Sequence, residues 1–128
     1  MTMSYLIDTD VLIDYLRDLP DAVNFIEKIK IPTYITAISV TELYAGVREG
    51  KERIALDNFI KAFQIITIDK EIAQKGGLFR RDFGKSHNVG LADAIIAAAT
   101  EYIEATLVTL NQKHFPMLSD IYIPYKKI

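Results

Sequence analysis

Short apolar runs alternate with longer stretches of helical period along nearly the whole chain. Ser4 to Ile7 reads as a first strand, and Val11, Leu12, Tyr15 and Leu16 lie on one face of a helix from about Asp10 to Arg17. Pro20 opens a second helix with Ala22, Val23, Phe25, Ile26 and Ile29 as its stripe, and Pro32 precedes a strand from Thr33 to Ile38. The segment SVTELYAGVREG is helical as far as Gly50. IALDNFIKAF follows with apolar positions at Ile54, Leu56, Phe59, Ile60 and Phe63, so these two helices are expected to form a hairpin. Gln64 to Ile68 is read as a short buried strand, a long helix starts near Lys70, and Gly90 marks the break before LADAIIAAATEYI. Thr106 to Leu110 is the next strand, and IYIPY suits a sheet edge because Pro124 has no N–H for a ladder. Strands alternating with helices through short connections predict an α/β fold with a mainly parallel central sheet. No linker or repeat divides residues 1–128, which are read as one domain.

In an open parallel sheet, ligands bind at the carboxyl ends of the strands. Asp8 closes the strand in YLIDTDVLID, Glu42 is read as opening the helix in SVTELYAG, and Asp93 opens the one in GLADAIIAAA. All three fall where such a sheet gathers functional groups. Asn111 after the Thr106–Leu110 strand makes a fourth. Carboxylate oxygens are hard ligands suited to Mg²⁺, with Mn²⁺ as a substitute; the chain has no cysteine and only His87 and His114, so soft or imidazole-rich metal sites are not expected. Asp8 and Asp93 are the candidate direct ligands. Glu42, with its longer reach, is assigned to a water-mediated contact or to orienting a nucleophilic water, and Asn111 to positioning a water as donor and acceptor.

Each residue also has a local structural reading. Ser39-Val40-Thr41-Glu42 is a capping box, Asp93 complements a helix dipole, Asn111 is a natural N-cap for the turn to His114, and Asp8 suits an Asx-turn. Taken one at a time these readings hold; four polar groups at successive strand ends favour catalysis. Asp69 is read as the cap of the long helix, Asp10 and Asp14 as neighbours one turn apart facing solvent, and the two histidines as structural or RNA-facing.

Composition narrows the setting. Half the residues are apolar and a quarter charged, a globular balance, and the absence of cysteine suits a reducing compartment. Neither a signal peptide nor a bilayer-length apolar run is visible, so the expected location is cytoplasmic, with no membrane partner. The net charge of −2 is unhelpful for binding a polyanion. Lys70, Lys75, Arg80, Arg81 and Lys85, however, fall in one helical stretch, either a solvated face or an RNA-facing one.

The blocks YLIDTDVLID, SVTELYAG, GLADAIIAAA and TLVTLNQKHFPML, in this order, resemble the PIN domain, and within it the VapC-type toxin ribonucleases of toxin–antitoxin pairs. The resemblance spans essentially the whole chain and implies a three-layer α/β/α fold, metal-dependent cleavage of RNA, a homodimer and a cognate antitoxin protein. Asn111 stands where many relatives have Asp, and His114-Phe115 where they often have Asp-Phe. Two other classes compete. Asp8-Thr9-Asp10-Val11 after a strand resembles the haloacid-dehalogenase phosphatases, with Asp8 as nucleophile, although Asp93 is not in the acidic pair that family needs. A non-catalytic PIN-like binding module is the other, against which the retained acids argue. The hairpin face around Tyr44, Val47, Ile54 and Phe59 is the expected groove for an antitoxin helix.

Overall fold

The computed structural model describes residues 2–127. Its central strand is β1 (Tyr5–Ile7), flanked by β2 (Thr33–Thr36) and then β3 (Gln64–Ile66) on one side, and by β4 (Thr106–Val108) and then β5 (Ile121–Tyr122) on the other. Every pairing is parallel, with Leu6 opposite Leu107 and Tyr34, and Ile35 opposite Ile65. The helices are α1 (Thr9–Leu16), α2 (Pro20–Glu27), α3 (Ala37–Ala45), α4 (Lys51–Ile60), α5 (Lys70–Phe83) and α6 (Leu91–Tyr102).

Alternation along the strands divides the core. Leu6 and Leu107 face one side, where they join Ile72 and Phe79 of α5 and Ile96 and Ala97 of α6. Ile7, Ile35 and Val108 face the other, against Val11 and Leu12 of α1, Leu43 of α3 and Leu56 of α4. Since successive strand residues point to opposite faces, the two clusters are the two sides of one sheet, which makes the three layers. Each fully buried Leu or Ile contributes about 2 kcal/mol. A Cβ at Gly76 would stand 3.1 Å from the Ile95 Cα, so glycine there is what lets α5 approach α6 so closely.

Several local expectations change. Gln64 to Ile68 is neither buried nor as long as read; β3 is the outermost strand on its side, and Ile65 is 38% exposed. The second strand stops at Thr36 rather than Ile38 because the Thr36 hydroxyl accepts the Ser39 N–H at 3.1 Å and starts α3 at Ala37. That removes the capping box at Ser39 and puts Glu42 in the second turn rather than at the start of the helix. α3 and α4 form the expected hairpin, joined by the Tyr44 hydroxyl on Asp57 and by a Gly50 backbone at φ 103° that side chains rarely adopt. β5 is the expected edge strand, ending before Pro124.

Candidate active site

The chain runs outward from β1 through β2 to β3, then returns to place β4 on the other side of β1. The sheet therefore has its switch point between β1 and β4, the place where open α/β sheets leave a crevice at their carboxyl edge. Asp8 lies at that point. Its N–H extends the ladder onto the Val108 carbonyl at 2.9 Å, while its side chain is capped by two neutral donors, the Thr9 N–H on Oδ1 and the Thr109 hydroxyl on Oδ2, each at 2.8 Å. Only 5% of Asp8 is exposed. Burial, with Asp10 and then Asp93 nearby, pushes its carboxyl up to about 8 despite the hydrogen bonds that favour its charged form.

The other acids adjoin it. Asp93, in the first turn of α6, is raised first by burial, an effect opposed by His114 and reinforced by Glu42. Its Oδ2 lies 3.4 Å from His114 Nδ1, so His114 is a neighbour of the acidic centre. Glu42 is exposed at the rim, but its Oε1 is held at 2.7 Å by the Thr9 hydroxyl. With its proton on Glu42, Thr9 accepts from Ser39 at 2.7 Å, and Ser39 in turn lies 3.5 Å from the Thr36 hydroxyl. A relay of hydroxyls thus fixes Glu42 from below. Asp93 thus has Asp8 on one side and Glu42 on the other.

Asn111 does not act as the cap. It precedes the short 3₁₀ turn Gln112–His114 without a side-chain cap, and its Nδ2 donates to Asp10 Oδ2 at 3.2 Å. Asp10 is no solvated neighbour: it receives the Val11 N–H at 2.7 Å and the Leu110 N–H at 3.0 Å, and its carboxyl is raised by burial against those bonds. So engaged, Asp10 is badly placed for the free general acid that the phosphatase reading requires. Asp14 is buried too, accepting from the Tyr125 hydroxyl at 2.7 Å and from Lys127 at 2.6 Å. Asp69 does cap α5, through the Ile72 N–H at 3.0 Å. Thr9 and Thr109 bond the acids and Ser39 supports Thr9, roles that the motifs containing them do not assign; the signal available was their place inside or beside the acidic blocks.

The donor set fits a hard divalent cation. Asp8 is buried, close to like charges, and compensated only by neutral donors, an arrangement that a cation would relieve. No three His, Cys, Asp or Glu side chains among the described residues are grouped so as to hold a metal ion. A site with one or two direct carboxylates and an open side is what Mg²⁺ uses when it keeps several waters.

Beside this centre, α1 and the α3–α4 hairpin border a cavity of about 430 Å³ lined by apolar Ile13, Leu16, Leu43, Val47 and Leu56 and by charged Arg17, Glu42, Arg48 and Glu52. Of the groove residues expected on the hairpin, only Val47 lines it. Tyr44 is tied to Asp57, Phe59 stacks on Tyr15 at 4.8 Å, and Ile54 is exposed. The basic residues of α5 are partly neutralised, Lys75 by Glu101 and Arg81 by Asp82. No helix is long and apolar enough to cross a membrane among the described residues.

Comparison with known proteins agrees with this architecture. The PIN domain family model matches residues 5–119. Ribonuclease VapC19 of Mycobacterium tuberculosis is 39% identical over 124 residues, covering 94% of this chain and 98% of that protein. Ribonuclease VapC1 of Methanocaldococcus jannaschii is 30% identical over 116 residues, covering 90% and 81%. Among solved structures, a toxin–antitoxin complex from Klebsiella pneumoniae superposes with a TM-score of 0.83 at 26% identity, covering 96% of this chain and 99% of the other. VapBC2 from Rickettsia felis, bound to a DNA fragment from its promoter, gives 0.76 at 26% identity, with 93% and 96% covered. With four acidic and amide blocks at the carboxyl edge of a parallel sheet and relatives of this kind over most of its length, the chain belongs to the PIN-domain family, among the VapC proteins.

Proposed function

We propose that this protein is a metal-dependent endoribonuclease, the toxin of a toxin–antitoxin pair, with Asp8, Glu42 and Asp93 as its catalytic acids. The observation that carries the reading is Asp8: a carboxyl group buried at the switch point, its pKa raised first by that burial and then by Asp10 and Asp93, and satisfied only by neutral donors. Relatives named as ribonucleases across almost the whole chain supply the substrate class. Asp8 and Asp93 would hold Mg²⁺ or Mn²⁺. Bound there, the cation supplies Lewis-acid polarisation of the phosphodiester and lowers the pKa of a water nucleophile. Glu42, fixed by Thr9, would orient a water nucleophile and take its proton. Asn111 acts through Asp10, holding the loop after β4 against the start of α1, so it is a positioning residue. The hydrolysis adds water across the P–O bond: the water oxygen joins phosphorus, the bond to the leaving ribose oxygen breaks, and the proton the water loses ends on that oxygen as a hydroxyl.

The partner is proposed to be an antitoxin whose amphipathic helix lies in the cavity between α1 and the hairpin, with a basic side chain reaching Glu42. A homodimer is the proposed assembly. The direct test is cleavage of single-stranded RNA by the purified protein in Mn²⁺: activity that chelator removes and that is lost in Asp8→Asn and Asp93→Asn supports the reading. Full activity in both variants overturns the site. Val47→Asp should abolish antitoxin binding without changing RNA cleavage, whereas Tyr44→Phe should leave both intact.

A further inference from the structure

After β5 the chain turns back across α1. Tyr125 and Lys127 both end on Asp14, at 2.7 Å and 2.6 Å, and the Asp14 side chain is only 5% exposed. A buried carboxylate with two donors from one short segment is a firm anchor, because removing either donor leaves buried negative charge poorly compensated. Burial and Asp14 together push the Tyr125 phenol up, so it remains a donor. Asp14 lies one helical turn beyond Asp10, which places the anchored segment beside the acidic centre. Between the two is a cavity of about 490 Å³ lined by Asp10, Leu110, Asn111, Ile123, Tyr125, Lys126 and Lys127.

We propose that the segment Ile123–Lys127 is a strap, clamped to α1 at Asp14, that forms one wall of the RNA groove and holds a backbone phosphate next to the scissile one on the Lys126 ammonium. The inference rests on the ribonuclease reading and adds a substrate-positioning residue to it. Three observations carry it together. The cavity shares Asp10 and Asn111 with the catalytic edge, so RNA reaching Asp8 has this space beside it. Its lining combines apolar side chains and a tyrosine with an exposed lysine, which suits a ribose–phosphate chain better than an acidic peptide. The centre itself is crowded with carboxylates on a chain of net charge −2, so the polyanion needs cations close by to approach it. Lys126 and Lys127 both line the cavity; with the Lys127 ammonium held on Asp14, the phosphate is assigned to Lys126.

The test measures binding of a single-stranded RNA oligonucleotide by anisotropy in chelator at several salt concentrations, and cleavage of the same oligonucleotide in Mn²⁺. One lost phosphate contact reduces the slope of log affinity against log salt by about 0.7 for a single strand. Lys126→Ala should show that change, with KM raised about fivefold, the size of one exposed ion pair, and kcat unchanged. Lys126→Arg should restore both. Asp14→Asn, which keeps a partner for Tyr125 but loses the charge pair with Lys127, should raise KM with Lys126 in place, at a melting temperature that shows it folded. Wild-type slope and KM in Lys126→Ala overturn the strap while normal wild-type cleavage leaves the nuclease reading standing. Unchanged RNA binding with weakened antitoxin binding also overturns it, by assigning Lys126 to the protein partner. A wild-type protein that neither binds nor cleaves RNA overturns the nuclease reading and the strap with it.

Discussion

Asp8 and Asp69 occupy the same local position: each follows a strand, each precedes a helix, and each side chain accepts from the helix it starts. Their surroundings separate them. Asp69 follows β3 at the edge of the sheet, is exposed, and bonds the Ile72 N–H in the usual N-cap manner. Asp8 follows the central strand at the switch point, is buried, and has Asp10 and Asp93 as neighbours in addition to the Thr9 and Thr109 donors. A strand–Asp–helix motif is therefore not a catalytic signal in itself. Strand order makes it one, by deciding which aspartate is desolvated among other acids.

The largest separation between the two should appear in catalysis. Asp8→Asn is expected to lower single-turnover RNA cleavage at saturating Mn²⁺ by at least ~100-fold, since it removes a direct ligand and metal-site losses of even outer partners reach tenfold to a hundredfold. Asp69→Asn should change the same rate by less than about twofold, because asparagine caps as well as aspartate. Equal effects would erase the distinction drawn from burial.

How far this was legible before folding depends on the length scale of each cause. Helices and parallel strands follow from apolar periodicity, a local property, and the carboxyl-edge rule then singles out Asp8, Glu42 and Asp93. The cap of α3 was misread because Ser39 and Glu42 satisfy a capping pattern just as Thr36 and Ser39 do; only the burial of Ser39, and the demand of Thr9 for a partner, tell them apart. Asp14 was placed in solvent because its partners, Tyr125 and Lys127, lie more than a hundred residues further on. The bond from Asn111 to Asp10 is invisible in the sequence for the same reason, the two lying 101 residues apart. The burial assigned to β3 failed because sheet order is nowhere written in the strand itself.

Titration sharpens the comparison next. Asp8 binds its proton more tightly in the folded chain, at about 8, than in the unfolded one. A raised folded pKa contributes stability that is complete below the unfolded value, near 4, and is lost as pH climbs through the folded value. In chelator the wild type should therefore lose on the order of 2 kcal/mol of unfolding free energy between pH 5 and pH 8.5, discounted from the full linkage because the acids titrate together. Asp10 and Asp93, also raised, act in the same direction. Urea unfolding of Asp8→Asn at the two pH values should show most of that loss removed, and addition of Mn²⁺ at pH 8.5 should stabilise the wild type but not the variant. A flat pH profile in metal-free wild type would mean that Asp8 is far better solvated than its position implies.

The hydroxyl beneath Glu42 should have a smaller effect. Thr9→Val keeps the shape of the side chain but deletes the donor to Glu42 and the acceptor for Ser39. Cleavage is expected to fall by about tenfold, as for loss of an orienting partner, with the fall in kcat and KM unchanged. Glu42→Gln should reduce kcat further. If Thr9→Val instead shifts KM alone, Thr9 belongs to the RNA surface rather than to the support of Glu42.

The smallest effect belongs to the ordinary cap, and it runs in the other channel. Asp69→Ala removes the 3.0 Å bond to the Ile72 N–H and the negative charge at the start of α5, so the first turn of that helix loses its side-chain acceptor. The expected cost is about 1 kcal/mol of stability, seen as a lower urea midpoint at unchanged slope. Serine at the same position should recover most of it, since its oxygen accepts from the same amide. Because α5 packs chiefly on α6 and Ile72 belongs to the core on that face, the loss spreads into stability rather than into the acidic edge. Specific activity per folded molecule should remain that of the wild type. A drop in kcat without a drop in stability would show that the exposed aspartate, too, takes part in chemistry, and the contrast with Asp8 would then have to rest on something other than burial.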